Sequence, residues 1–286
     1  MQTLDIVDTH CHIISDDVTR YPRAPIGGTQ SSWATTRPVT ADGMVERMDE
    51  AGIGQAVLVQ ATTAYGYDNS YVLDSRAQRP DRFIVVGTVD PLRPDAADNL
   101  ESAVGETGLA GVRLFTSGST VPTQGEWFAA PETYPFWDKA TELGVTVCLQ
   151  MRLGPATEQL HLLLRRFPKV RVLLDHMGYP DIAASPTDAG ETVAELAVHP
   201  ALHLKLTHRN LERLHDAGTK AAGFLDPVLE SFGANRIAWG SNLPAAEKSL
   251  PELVALAQEV LAEVPEPERR EIFAGTARRL YPGLAG

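Results

Sequence analysis

Residues 145–175 read VTVCLQMRLGPATEQLHLLLRRFPKVRVLLD. Two short β-rich runs, 145–150 and 170–175, flank a stretch with helical periodicity at 158–167. Each run is nearly continuous in apolar residues, the pattern of parallel strands buried on both faces rather than of a sheet with one wet face. The same alternation extends in both directions. Runs at 5–8, 56–60, 83–90, 111–115, 202–207 and 236–240 bring the total to eight, and helix-like stretches at 41–51, 71–78, 134–143, 222–232 and 250–262 separate most of them. Eight strand–helix units in 286 residues fit an α/β fold of the (β/α)8 TIM-barrel type, with a doubly wound open sheet as the competitor. We expect one domain over 1–286, a long loop at 21–38 after the first strand, and an amphipathic closing helix at 267–280.

Composition narrows the function. With 43% hydrophobic and 22% charged residues the chain can bury a large core, so disorder is not expected. No window approaches the roughly 18 consecutive apolar residues of a membrane span, and the N-terminal residues lack a basic cluster and a long apolar stretch, so a cytoplasmic protein without membrane contact is expected. Cys11 and Cys148 alone do not make a disulfide framework. The net charge of −12 repels polyphosphate backbones and makes nucleic acid a poor partner. A small-molecule substrate is expected, and a homo-oligomer is compatible with the chain.

In a barrel, the C-terminal strand ends surround one mouth. Here they carry His10 and His12, Gln60, Asp90, Arg113, Gln150 and Arg152, Asp175-His176, Lys205 through Arg209 (with His208), and Ser241-Asn242. Residues i and i+2 of a strand share a face, so His10 and His12 can converge on one metal ion or one substrate group while Cys11 points away. Four of the eight histidines fall at strand ends, which favours a site over scattered structural histidines. His161, His199, His203 and His215 fall elsewhere and read as structural. By the same alternation Asp175 points away from His176 and reads as a structural anchor.

The motifs Asp8-Thr9-His10-Cys11-His12, Gly111-Val112-Arg113-Leu114, Leu174-Asp175-His176-Met177-Gly178, Gly240-Ser241-Asn242-Leu243-Pro244 and Ala277-Arg278-Arg279-Leu280-Tyr281 together resemble the amidohydrolase superfamily. The resemblance runs the length of the chain and is nearest to the amidohydrolase-2 branch, which holds lactonases of the pyrone dicarboxylate and muconolactone type and non-oxidative decarboxylases. It implies a barrel hydrolase with one divalent metal, zinc first, or none, and no organic cofactor. The metal ligands it implies are His10, His12 and His176, since three imidazoles suffice for a catalytic zinc. Arg113 stands where a carboxylated lysine would, so a binuclear centre is not expected.

One departure matters. The resemblance implies an aspartate at the end of the last strand, acting as general base, and this chain has Asn242. An amide cannot accept a proton at neutral pH, although it can orient water. Either the base lies elsewhere, the chemistry differs, or the position was altered to trap a complex. His176 and His208 are the candidate replacements, because imidazole titrates near pH 6.5, at about neutrality.

The expected reaction is hydrolysis of a small carboxylated lactone or related cyclic ester or amide. His10, His12 and His176 would polarise the carbonyl, while Asn242 and a nearby histidine direct water. Guanidinium forks suit carboxylates, so Arg113, with Arg152 and Arg209, would hold the substrate acid. Gln60 and Gln150 would contribute polar contacts, and Tyr67, with Tyr65, Trp33 and Trp127, would cover a ring. The alternatives are non-oxidative decarboxylation of an aromatic or enoic acid, and a catalytically silent barrel that binds a carboxylated ligand.

Overall fold

The computed structural model describes residues 4–118, 121 and 123–284. Eight parallel strands follow one another around a sheet in sequence order: β1 (Val7–Cys11), β2 (Gln55–Val59), β3 (Phe83–Gly87), β4 (Gly111–Phe115), β5 (Thr146–Gln150), β6 (Arg171–Leu174), β7 (Leu202–Thr207) and β8 (Ile237–Gly240). The sheet rolls into a (β/α)8 barrel. Its seam between β8 and β1 is held by Asn242 N donating to the His10 carbonyl at 2.6 Å, His12 N to the Leu243 carbonyl at 2.8 Å, and the Thr9 hydroxyl to the Trp239 carbonyl at 2.6 Å.

Period-two alternation sorts each strand into two buried faces. Outward residues such as Leu58, Val85, Leu114, Leu149 and Leu204 pack under the surrounding helices. Val57, Val59, Val86, Cys148 and Leu173 fill the interior. The same alternation turns Arg113 and Lys205 inward, with Arg113 paired in register to Cys148 and Lys205 to Ala238. The closing segment runs as helix Glu266–Arg270, a wider turn Glu271–Gly275 and helix Thr276–Leu280. It plugs the N-terminal end of the barrel: Tyr281 reaches Cys148 Sγ at 3.3 Å, and Thr146 donates to the Leu280 carbonyl at 2.9 Å. Both cysteines are free and buried.

Most strand ends fall within a residue of expectation and the third stops at Gly87, three residues before Asp90, but the shifts in the first and sixth bear on the site. The first is centred later, at Val7–Cys11, because polar Thr9 and His10 are buried in the seam and continue the ladder. Between the paired positions Asp8↔Ala56 and Cys11↔Leu58, β1 holds one residue more than β2, a bulge of the kind that re-aims side chains beside active sites. The sixth ends at Leu174 instead of 175, with consequences described next. The loop at 21–38 carries a short helix, Ser32–Thr36, that brings Trp33 over the mouth. No helix among the described residues is long and apolar enough to cross a membrane.

Candidate active site

A polar cavity opens at the C-terminal ends of the strands. Seven residues expected from the sequence line it: His12, Trp33, Arg113, Gln150, His176, Arg209 and Asn242. Phe115 at the end of β4 and Ser31, Thr62, Thr63 and Tyr179 from the segments after the strands join them. His10 lies directly beneath, its ring centroid 4.8 Å from that of His12 and 5.2 Å from that of His176. Trp33 stacks on His12 at 5.2 Å, with an 18° angle between the planes.

The chain after β6 breaks the strand alternation. His176, Met177 and Tyr179 have φ of 56°, 54° and 57°, and Gly178 has 73°. Left-handed backbone costs a non-glycine residue roughly 1–2 kcal/mol and is found where the surroundings impose it. Here Asn210 Nδ2 donates to the His176 carbonyl at 2.9 Å, and Leu153 N to the Gly178 carbonyl at 2.8 Å. The tight turn directs both Asp175 and His176 inward. Asp175 is therefore part of the site's charge network, a correction to its reading as an anchor on the opposite face.

Asp175 is fully buried and pairs with Arg113 Nε through Oδ2 at 2.8 Å and with Lys205 Nζ through Oδ1 at 2.8 Å; His10 Nδ1 is 3.6 Å from Oδ1. Burial would raise its pKa, but the Lys205 and Arg113 cations outweigh it and hold the carboxyl well below the usual range. Arg113 also donates to Gln150 Oε1, and Gln150 Nε2 to the Ser117 carbonyl at 2.7 Å. Arg113 is thus largely committed to protein partners. Arg209 is exposed beside the cavity, its guanidinium 5.9 Å from the Tyr179 ring centre, with Arg152 at 5.0 Å from the same ring.

Burial keeps the histidines neutral. It pushes His12 down to about 3, and it lowers His10 and His176 well below the usual value, with Lys205 adding to the effect at His10 and His10 at His176. His176 Nδ1 is 2.7 Å from the Thr207 hydroxyl, which leaves Nε2 as the ring nitrogen turned toward the cavity. Asn242 sits at φ 59°, a conformation asparagine tolerates better than most residues, at the rim beside His12.

Three expectations need correction. Gln60 is fully buried and pins its own loop, its amide donating to the Asp68 carbonyl and its Oε1 accepting from Ala61 N at 3.0 Å; its neighbours Thr62 and Thr63 reach the cavity instead. Tyr67 is 48% exposed and is not among the residues lining the cavity. His208 begins the helix after β7, is pushed to about 3 by burial, and contacts the Ser241 carbonyl at 3.2 Å. It lines an adjoining cleft that shares His176, Tyr179 and Arg209 with the cavity, and does not line the cavity itself.

The expected metal set does not fit either. The Nε2 atoms of His10 and His12 are 3.2 Å apart, close to the roughly 3.4 Å edge between two nitrogens on a tetrahedral zinc with Zn–N of about 2.1 Å. Of the other donors only His176 Nε2 is turned toward the cavity. His10 Nδ1 faces Lys205, Asp175 is tied to two cations, position 242 is an amide, and among the described residues no group of three or more His, Cys, Asp or Glu is placed to hold a metal ion.

Lys205 was the residue sequence reasoning undervalued. A lysine inside an otherwise apolar strand is almost never buried without a partner, and that is the signal it offered.

The amidohydrolase family model matches residues 7–283. This chain belongs to the amidohydrolase family. It is 28% identical over 200 residues to the L-fucono-1,5-lactonase of Burkholderia ambifaria, a match covering 68% of this chain and 67% of that protein. Among solved structures, it superposes on a Pseudomonas putida protein assigned as a 2-pyrone-4,6-dicarboxylic acid hydrolase, with a TM-score of 0.78, 21% identity and 99% of both chains covered. An amidohydrolase of Burkholderia multivorans with bound zinc aligns with a TM-score of 0.74 and 22% identity, over 97% of this chain and 99% of that one.

Proposed function

We propose that this amidohydrolase hydrolyses a small carboxylated lactone, without a metal ion. The observation that carries the reading is one polar cavity where a neutral, buried His176 and the Asn242 amide stand opposite guanidinium groups, above a floor holding His10, Lys205 and Arg113. The similarity to a lactonase supports the bond class, and the arginines support the acid.

In this reading Arg209 takes the substrate carboxylate. Arg113 already spends two of its faces on Asp175 and Gln150, so it supplies field rather than a two-point grip. The hydroxyls of Ser31, Thr62 and Thr63 and the ring of Trp33 position the lactone. Water held by the Asn242 amide gives a proton to His176 Nε2 as it attacks the carbonyl carbon. Negative charge grows on the carbonyl oxygen, which the Arg113 cation at the cavity wall stabilises. The C–O bond of the tetrahedral species then breaks, and the proton on His176 passes to the leaving alkoxide, giving the ring-opened hydroxy acid. Imidazole held neutral at pH 7 can act in both directions.

The test is a pH-indicator assay of carboxylated lactones against uncharged sugar lactones, with metal-free protein. Turnover of a carboxylated lactone, with Arg209→Gln raising its KM at least about tenfold and leaving that of an uncharged lactone unchanged, is the expected result. No turnover of any lactone would sink the reading in favour of a silent barrel, the alternative that Asn242 favours.

A further inference from the structure

Lys205 is buried at 0% exposure in the middle of β7. Its Nζ forms an ion pair with Asp175 Oδ1 at 2.8 Å and has two hydrogen-bond partners, His10 Nδ1 at 3.0 Å and Cys148 Sγ at 3.4 Å. An ammonium has no lone pair, so toward His10 it can only donate. Nδ1 of His10 is then the acceptor, and the ring proton of His10 sits on Nε2. The other end of the histidine pair imposes the same answer independently. His12 Nδ1 is 2.7 Å from the Val59 carbonyl, which can only accept, so His12 carries its proton on Nδ1 and a lone pair on Nε2. The two constraints meet at the 3.2 Å contact between the Nε2 atoms, where one proton and one lone pair are what a hydrogen bond requires.

We propose that Lys205 is a positioning residue that locks His10 as the Nε2–H tautomer, and that this lock keeps the histidine pair hydrogen-bonded rather than metal-chelating. Chelation needs lone pairs on both Nε2 atoms. His10 would have to carry its proton on Nδ1, pointing a donor at the ammonium 3.0 Å away. Asp175 Oδ1, 3.6 Å from that same nitrogen, is the acceptor that would orient His10 the other way, as carboxylates do for metal-bound histidines, but Lys205 stands between them. One cation in the barrel floor thus decides which way the imidazole proton faces. This inference concerns the free protein and does not depend on which lactone is turned over.

The decisive measurement is the long-range proton–nitrogen correlation spectrum of imidazoles in ¹⁵N-labelled protein, with His10 assigned by its loss in His10→Gln. Wild type should show His10 protonated at Nε2 and bare at Nδ1. Lys205→Met, which keeps length without charge, should move the proton to Nδ1 and tighten zinc binding at least about tenfold, read by competition with a chelating dye. A wild-type His10 protonated at Nδ1, a tautomer unchanged in Lys205→Met, or a flipped tautomer with no gain in zinc affinity would each overturn the proposal. If the variant does not fold, the wild-type spectrum decides alone. Failure of every lactone assay would remove the proposed function and leave this spectrum unaffected.

Discussion

Arg113 Nε donates to Asp175 Oδ2 at 2.8 Å with both side chains out of solvent, and Lys205 approaches the other oxygen of the same carboxylate. One anion therefore pairs with two buried cations. Removing one partner of a buried pair leaves uncompensated charge, which typically costs about 3–5 kcal/mol. Asp175→Asn should lower the urea unfolding free energy by about that much, well beyond the change from Asp181→Asn on the exposed surface. A loss under about 1 kcal/mol would show that the network is not charged as described.

The buried neutral histidines make stability fall on mild acidification. His12 and His208 have pKa values of about 3 in the fold, against an ordinary 6.5. Below pH 6.5 the unfolded chain binds protons that the folded one refuses, so stability drops by about 1.4 kcal/mol per pH unit for each such group until the folded value is reached. Asp175 acts in a lower window, since its depressed pKa gives stability that is present above about pH 4 and lost as pH falls further. Urea midpoints from pH 7 to pH 5 should decline steadily. A flat profile would mean that these histidines protonate in place.

His176 is assigned as the base, and His208 lies in the neighbouring cleft. General base catalysis contributes about 10²–10⁴-fold. His176→Gln should cut kcat by that range with KM little changed, while His208→Gln should leave kcat within about threefold. Reversed effects in steady-state kinetics would move the base to His208.

Asn242 marks the place where an acid would complete the machinery. Its left-handed backbone accommodates aspartate as readily as asparagine. Asn242→Asp should raise kcat about tenfold or more, with a new acidic limb in the pH–rate profile. An unchanged rate would show that water does not sit at this side chain.

With no step assigned to a metal, dialysis against a chelator should leave lactone turnover within twofold of the untreated protein. Loss of activity that added zinc restores would contradict the metal-free reading directly.

The barrel was legible because its cause is local. Apolar runs of strand length separated by helical periodicity repeat eight times, and a parallel sheet covered by helices is the arrangement that buries both faces of such runs. The convergence of His10 and His12 was legible too, since strand period alone puts i and i+2 on one face, and the bulge in β1 left that intact. The absence of the acid at Asn242 needed only the residue letter. What the tertiary structure decided lies between elements. Asp175 reaches the charge network because a left-handed turn, held by Asn210 and Leu153 from other parts of the chain, overrides strand alternation. Gln60 turns to its own loop because Asp68 offers a nearer partner. Lys205 meets His10 across 195 positions of sequence. Periodicity sets which face a side chain takes, but the proton positions and charge balance of a site depend on which atoms from distant strands come within about 3 Å, and only the closed barrel brings them there.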